Sequence, residues 1–115
     1  MQRINQYQLG IEQDTLLLFS DFQDGGEMWD GEGPREIRRS VTFGEMFKRP
    51  PAVTVGLSML DIDQGKNHRV DIKAENITRS GFDIVFKTWG DTRIARVRAD
   101  WLAMGALPHE DAWDV

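Results

Sequence analysis

Polar and apolar residues alternate in two short runs, 69–76 and 81–89, and this pattern predicts a β-hairpin. Alternation with a period of two places every second side chain on the same face of a strand. In the second run one face carries Phe82, Ile84 and Phe86, and turn residues separate the two runs near residue 79. We therefore expect two antiparallel strands with one face in a core.

The charged residues of this hairpin favour one register. Folding the runs with Asp71 opposite Lys87 gives a favourable outer pair, whereas a shift of two residues sets Lys73 opposite Lys87. The favoured register has one misfit, which is Glu75 opposite Asp83. It forms the core pairs Ile72–Phe86 and Ala74–Ile84.

Similar runs recur about every dozen residues along the chain, with turn residues between them. The predicted strands are 15–20, 35–43, 52–61, 68–76, 81–89 and 92–104. No segment shows a convincing amphipathic helical pattern, and residues 21–34, which are rich in glycine and acid, are predicted to form a long surface loop. The predicted fold class is all-β, a six-stranded antiparallel β-sandwich.

The last predicted strand carries apolar residues on both faces. One face consists of Ala95, Val97, Ala99, Trp101 and Ala103, and the other places Arg96, Arg98 and Asp100 between Ile94 and Leu102. The second face either is solvated or lines a seam between copies of the chain. In a seam the arginines would need carboxylate partners across it, because an unpaired buried charge costs several kcal/mol.

Composition excludes several classes of protein. The 115 residues suffice for one domain, and the absence of cysteine excludes a disulfide framework. A formal net charge of -5 argues against nucleic acid as a partner, since binding phosphates requires a basic surface. No stretch predicts an export signal or a membrane span. His68 and His109 lack the spacing of metal ligands, so neither a metal nor a cofactor is predicted.

Trp89 is the residue that most strongly indicates a ligand, because it lies on the polar face of its predicted strand. The favoured register places it opposite Arg69, with Cβ atoms about 5 Å apart. Arginine offers a planar fork of donors and tryptophan a flat stacking face, which together suit a hydroxyl-rich ligand. The alternatives are a surface ion pair for Arg69 and a ring that covers the sandwich edge for Trp89.

Acidic residues near this pair are candidate hydrogen-bond acceptors. Asp30 and Glu32 lie in the predicted loop, and Asp91 follows Gly90 after the tryptophan. Such carboxylates accept hydrogen bonds from sugar hydroxyls or bind a cation, and in most loops they are simply solvated. Trp29 is either a cap over the site or a buried anchor of the loop.

The middle of the chain resembles a known family. The segments that carry the resemblance are VTFGEMFKRPPAVTVGLSMLDID, NHRVDIKAENIT and GFDIVFKTWGDTRIARVRADWLA, which follow one another between Val41 and about Gly105. They look like an H-type lectin domain, the fold of the snail agglutinins and of the C-terminal domain of discoidins. The resemblance implies a six-stranded antiparallel sandwich, a homotrimer, and a galactose or N-acetylgalactosamine site at each protomer interface.

Carried over by position, the resemblance assigns the arginine of the family's site to Arg69 and its tryptophan to Trp89. An acidic ligand-binding position falls on Glu32, near Asp30. The chain departs from the snail type at two positions. Gly90 stands where that type has histidine, and Ala95 where it has a tyrosine supplied by the neighbouring protomer. Without cysteines or a signal peptide, the chain looks more like a bacterial or phage-associated relative.

These observations predict a homotrimeric, non-enzymatic module that binds glycans through Arg69, Trp89, Glu32, Asp30, Gly90 and Asp91. Glycoside hydrolysis by two carboxylates is not favoured, because nothing predicts a cleft that keeps one of them protonated. The competing hypothesis is a structural spike, fibre or accessory protein of a phage-like or cell-surface assembly that has lost sugar binding. The sequence predicts no definite localisation for the chain; association with a virion, or release to the cell surface by a non-classical route, is compatible with it.

The predicted division of the chain follows from the strand pattern. Residues 1–14 form an N-terminal arm, 15–107 the lectin-like sandwich and 108–115 an acidic C-terminal tail. The arm is polar and has little capacity to join a core, so it would attach the domain to an assembly in the structural alternative.

Overall fold

A computed structural model describes residues 1–5 and 8–108 of the chain. The strands are β1 (Leu9–Ser20), β2 (Arg35–Thr42), β3 (Ala52–Ile62), β4 (Val70–Glu75), β5 (Gly81–Thr88) and β6 (Ile94–Ala106). Two single-turn helices, α1 (Asp21–Asp24) and α2 (Glu27–Asp30), lie between β1 and β2. His109 and nearly all of the predicted acidic tail lie outside the described residues.

The strands form two antiparallel three-stranded sheets, which confirms the predicted six-stranded all-β fold. The order is β1-β6-β3 in the first sheet and β2-β5-β4 in the second. The middle strands β5 and β6 supply most of the buried residues of the core. Their buried residues include Phe82, Ile84 and Phe86 from β5, and Val97, Ala99, Trp101 and Ala103 from β6.

The hairpin of β4 and β5 has the predicted register, with the pairs Asp71–Lys87, Ile72–Phe86, Ala74–Ile84 and Glu75–Asp83. A residue of β2 compensates the like-charge pair. The Arg38 guanidinium lies 3.5 Å from Oε1 of Glu75 and 3.1 Å from Oδ2 of Asp83. Hydrogen bonds from Asn76 and Ser40 also hold the pKa of Asp83 below its ordinary value. The like-charge pair of Glu75 and Asp83, which the register of β4 and β5 creates, is therefore compensated by Arg38 of β2.

The first strand is longer than predicted. Alternation predicted a strand from residue 15, but β1 begins at Leu9 and pairs with β6 from its first residue. The pattern was misleading because Leu9 and Ile11 face outward, at 51% and 59% exposure, while Gly10 and Glu12 are half-buried. The predicted boundary between arm and domain, after residue 14, falls inside this strand.

The segment 21–34 is not the helix-free loop that the sequence predicted. Its two helices have four residues each, too short for a period of 3.6 residues to be visible in the sequence. Gly25 ends α1 in the left-handed conformation, with φ of +64°. Met28 of α2 is buried in the core, so it anchors the segment, while Trp29 is half-buried.

The outward face of β6 carries Arg96, Arg98 and Asp100, as predicted. Both arginines find partners on β3 of the same chain. Arg96 donates to Oδ2 of Asp61 at 3.1 and 3.2 Å, and Arg98 donates to Oγ of Ser58 at 3.0 Å. Carboxylates from another copy are therefore not needed to compensate Arg96, contrary to the prediction for a seam on this face.

Candidate functional site

The turn between β5 and β6 is held against the segment that enters β4 by two buried threonines. The Thr88 hydroxyl donates to the carbonyl of Arg69 at 2.5 Å, and the Thr92 hydroxyl donates to the carbonyl of Asn67 at 2.6 Å. The Arg69 amide in turn donates to Oγ1 of Thr92 at 3.1 Å. Because the threonines are buried, these bonds are shielded from water, and they fix the backbone on which Arg69 stands.

Arg69 and Asp91 form an exposed pair of donor and acceptor at this turn. Nη1 of Arg69 lies 3.7 Å from Oδ1 of Asp91, which also accepts a hydrogen bond from the Asn67 amide at 3.1 Å. That amide is the main reason that the pKa of Asp91 is held below its ordinary value. Asp91 is therefore a charged acceptor at neutral pH, and both side chains keep more than two fifths of their surface exposed.

A buried arginine joins this turn to the segment that carries the predicted acidic residues. Arg35 is 6% exposed, and its guanidinium donates to the carbonyls of Gly33 (2.9 Å), Glu27 (3.2 Å), Met28 (3.2 Å) and Gly90 (3.3 Å). The Gly33 amide also donates to the Gly90 carbonyl at 2.9 Å. The planar guanidinium group of Arg35 thus connects α2, the residues just before β2 and the β5–β6 turn.

The connection creates a shallow recess of about 240 Å³. It is lined by Asp30, Gly31, Glu32, Lys66, Asp91 and Arg93, and is named here the Asp91 recess. Three carboxylates and two cationic side chains face one opening, so the recess offers both acceptors and donors. The structure thus brings the predicted residues Asp30, Glu32 and Asp91 together, and Arg69 adjoins them through its ion pair.

Trp89 lies outside this recess. It is 43% exposed and lines a separate opening of about 330 Å³, with Pro34, Arg35, Glu36, Lys87 and Thr88. The ladder of β4 and β5 ends at Val70–Thr88, so Trp89 and Arg69 are the next residues beyond the last pair. Gly90, with φ of +71°, then turns the chain toward Asp91. Trp89 and the Asp91 recess consequently flank the same left-handed glycine.

Ala95 borders a third opening. A register shift between Asp61 and Ile62 of β3 lets Ile94 enter the core, although alternation had assigned it to the outer face. Ala95 is buried and lines a recess of about 320 Å³, named here the Ala95 recess. Its other lining residues are Phe22, Trp29, Asp61, Ile62 and Asp63.

Sequence reasoning missed the roles of Arg35, Lys66 and Arg93. Arg93 donates to the carbonyl of Trp29 at 2.9 Å and lies 4.0 Å from Asp30 and 3.8 Å from Asp63. Its position directly after the turn 89–92 was a usable signal, because a turn residue next to candidate ligand contacts faces the same loops. Arg35 gave no such signal, since its partners are backbone atoms that become neighbours only in the fold.

Among the described residues, neither helix is long or apolar enough to span a membrane. That part of the chain also contains no cluster of three or more histidine, cysteine or acidic residues arranged to hold a metal ion.

Two small sheets that face each other, with shallow charged recesses between their loops, are typical of a β-sandwich binding domain. The family profile for the H-type lectin domain matches residues 38–104, which is more than half of the chain. The chain therefore belongs to the H-type lectin domain family, as its sequence motifs indicated.

Individual proteins agree with this assignment. The chain is 38% identical over 76 residues to discoidin-2 of Dictyostelium discoideum, an alignment that covers 64% of this chain and 29% of that protein. The structure of discoidin II from the same organism matches with a TM-score of 0.73 and 27% identity, over 87% of this chain and 38% of that one. This chain thus spans well under half the length of the discoidins.

Another relative matches along almost its whole length. It is the ATP synthase subunits region ORF 7 of Fuscovulum blasticum, which is 64% identical over 107 residues, or 93% of each chain. Its name does not state an activity.

Proposed function

We propose that this chain is a carbohydrate-binding module that recognises surface glycans at the β5–β6 turn and acts without catalysis. The exposed pair of Arg69 and Asp91 beside the Asp91 recess carries the proposal. A sugar hydroxyl donates and accepts hydrogen bonds at the same time, so it pairs well with adjacent guanidinium and carboxylate groups. Family membership supports the same ligand class.

In this proposal each side chain has one role. Arg69 donates to ligand hydroxyls, while Asp91, Asp30 and Glu32 accept from them. Trp89 offers its exposed ring to the apolar face of a sugar from the other side of Gly90. Gly90 keeps Arg69 accessible, because a Cβ atom at this position would lie 3.0 Å from Nη1 of Arg69.

The module is proposed to act as a homotrimer. The outward face of the β1-β6-β3 sheet carries exposed apolar side chains, namely Leu9, Ile11, Leu17 and Met104. An apolar face of this kind favours association, since burial of apolar area is the main stabilising contribution at interfaces. Each site would bind a monosaccharide with a Kd on the order of 0.1 to 1 mM, and three linked sites would supply avidity.

Sedimentation at micromolar concentration tests the trimer, and a monomer under these conditions would contradict it. A glycan array tests sugar recognition. We expect Arg69→Ala and Trp89→Ala to weaken binding to every hit, whereas Arg49→Ala, at an exposed position at the opposite end of the sandwich, should bind normally. Unchanged binding by both site variants would show that the site lies elsewhere.

The second candidate is a structural subunit of a phage-like or cell-surface assembly. Gly90 and Ala95 favour it, because they stand where the snail-type lectins have two sugar-contacting side chains. Neighbouring genes distinguish the two candidates. Capsid or tail genes favour the structural role, whereas polysaccharide or adhesion genes favour the lectin.

A further inference from the structure

The Ala95 recess contains an aromatic corner that the candidate site does not use. Phe22 of α1 is 58% exposed, although a phenylalanine at a surface gains nothing from contact with water. Its ring meets that of Trp29 at a centroid distance of 5.0 Å and an interplanar angle of 86°. These two nearly perpendicular rings form the aromatic corner, and they line the recess together with Ala95, whose side chain is small.

Arg93 fixes one wall of this corner. Its guanidinium carbon lies 4.3 Å from the centre of the Trp29 ring, and its Nε donates to the Trp29 carbonyl at 2.9 Å. A cation held over one ring face orients the tryptophan without blocking its edge. Arg93 also lines the Asp91 recess. It contacts two residues that line the Ala95 recess, Trp29 and Asp63, and so connects the linings of the two recesses.

The charges of the Ala95 recess are already compensated. Asp61 at its rim is bound by Arg96 at 3.1 Å, and Asp63 lies 3.8 Å from Arg93. A cationic ligand would have to compete with these arginines for the carboxylates. A neutral ligand with hydroxyl groups has no such competitor, because paired carboxylates keep lone pairs that accept further hydrogen bonds.

We propose that the Ala95 recess is a second saccharide subsite, which binds the sugar residue next to the one held in the Asp91 recess. The aromatic corner stacks on the C–H face of that residue, and Asp61 and Asp63 accept its hydroxyls. The inference rests on the proposed carbohydrate binding and adds that the ligand is an oligosaccharide that crosses Arg93.

The test uses the full chain and three galactose-terminated probes: galactose, lactose and lacto-N-neotetraose. Titration calorimetry measures each affinity for the wild type, Phe22→Ala, Phe22→Tyr and Met46→Ala. We expect Phe22→Ala to weaken binding of the two longer probes about threefold to tenfold, the range of one aromatic contact, and to leave galactose unchanged. Phe22→Tyr keeps the ring and should bind like the wild type.

Met46→Ala is the matched control, because it removes another exposed apolar side chain. Met46 lies in the loop after β2, whereas Phe22 and Trp29 lie in the segment before β2, at the other end of that strand. It should change no affinity. Equal weakening of galactose and the longer probes by Phe22→Ala would mean that Phe22 only supports the fold, which overturns the subsite. If Phe22→Ala binds all three probes as well as the wild type does, the subsite is overturned too. If the wild type binds none of the three probes, the proposed function fails for galactose-terminated glycans, and the subsite fails with it.

Discussion

Gly90 holds the β5–β6 turn in a conformation that residues with a side chain rarely adopt, with φ of +71°. Gly33 has nearly the same backbone angle, +75°, but its missing Cβ would meet no atom within 4 Å. Left-handed strain costs about 1–2 kcal/mol for other residues. We expect Gly33→Ala to lose this amount and Gly90→Ala to lose more, because the added methyl also displaces Arg69.

Urea unfolding of the two variants measures the difference. Equal losses in the free energy of unfolding would show that Arg69 moves aside without cost. A larger loss in Gly90→Ala, together with weaker glycan binding, would show that this glycine keeps the Arg69 side chain in its place.

Arg35 is the residue on which the shape of the Asp91 recess depends. Its four carbonyl acceptors come from three segments, and a lysine could satisfy only some of them, because its ammonium lacks the planar fork. We expect Arg35→Lys to lower the free energy of unfolding by about 1–3 kcal/mol, the usual cost of unsatisfied buried polar groups. Arg49→Lys, at an exposed position, should stay within about 0.5 kcal/mol of the wild type. An unchanged urea midpoint for Arg35→Lys would contradict this role.

At the scale of elements, β6 joins the core to the proposed trimer face. The neighbouring hydroxyl groups of Thr15 of β1 and Ser58 of β3 hold the pKa of Asp100 below its ordinary value. A lowered pKa in the folded state means that the stabilising contribution is complete above the unfolded pKa of about 3.9 and is lost as the pH falls through the folded value. We therefore expect Asp100→Asn to reduce the loss of stability on acidification.

Thermal melts of both proteins from neutral pH downward measure this effect, and identical pH profiles would contradict it. Asp100→Ala tests the seam separately. If this variant sediments and melts like the wild type, the charges of β6 lie on a solvated face and the trimer contact is built elsewhere.

At the scale of the whole molecule, we expect the first half of β1 to belong to the folded domain. Residues 9–14 pair with the C-terminal half of β6, from Trp101 to Ala106. Deletion of residues 1–8 removes no residue of β1, so it should leave the melting temperature nearly unchanged. Deletion of residues 1–14 leaves half of one edge of a middle strand unpaired, and we expect a clear loss of stability. Equal melting temperatures of the two deletions would show that this pairing contributes little.

The sequence alone determined those features that depend on near neighbours. The register of β4 and β5 followed from alternation and from the signs of Asp71 and Lys87, because cross-strand pairs in a hairpin are local contacts. The six strands followed from the same period, and the family followed from three uninterrupted motifs. Asp30, Glu32 and Asp91 were named as candidates because acidic residues beside glycine-rich turns are visible in the sequence.

The tertiary structure decided everything that depends on distant segments. The Asp91 recess combines side chains from α2, the β3–β4 loop and the β5–β6 turn, which no periodic pattern connects. Arg35 binds backbone carbonyls, and these look alike in every sequence. Leu9 and Ile11 of β1 are apolar and yet face outward in the single chain, so alternation alone did not identify this half of the strand. Alternation indicates which side chains share a face, but only the packed sheets decide what that face meets.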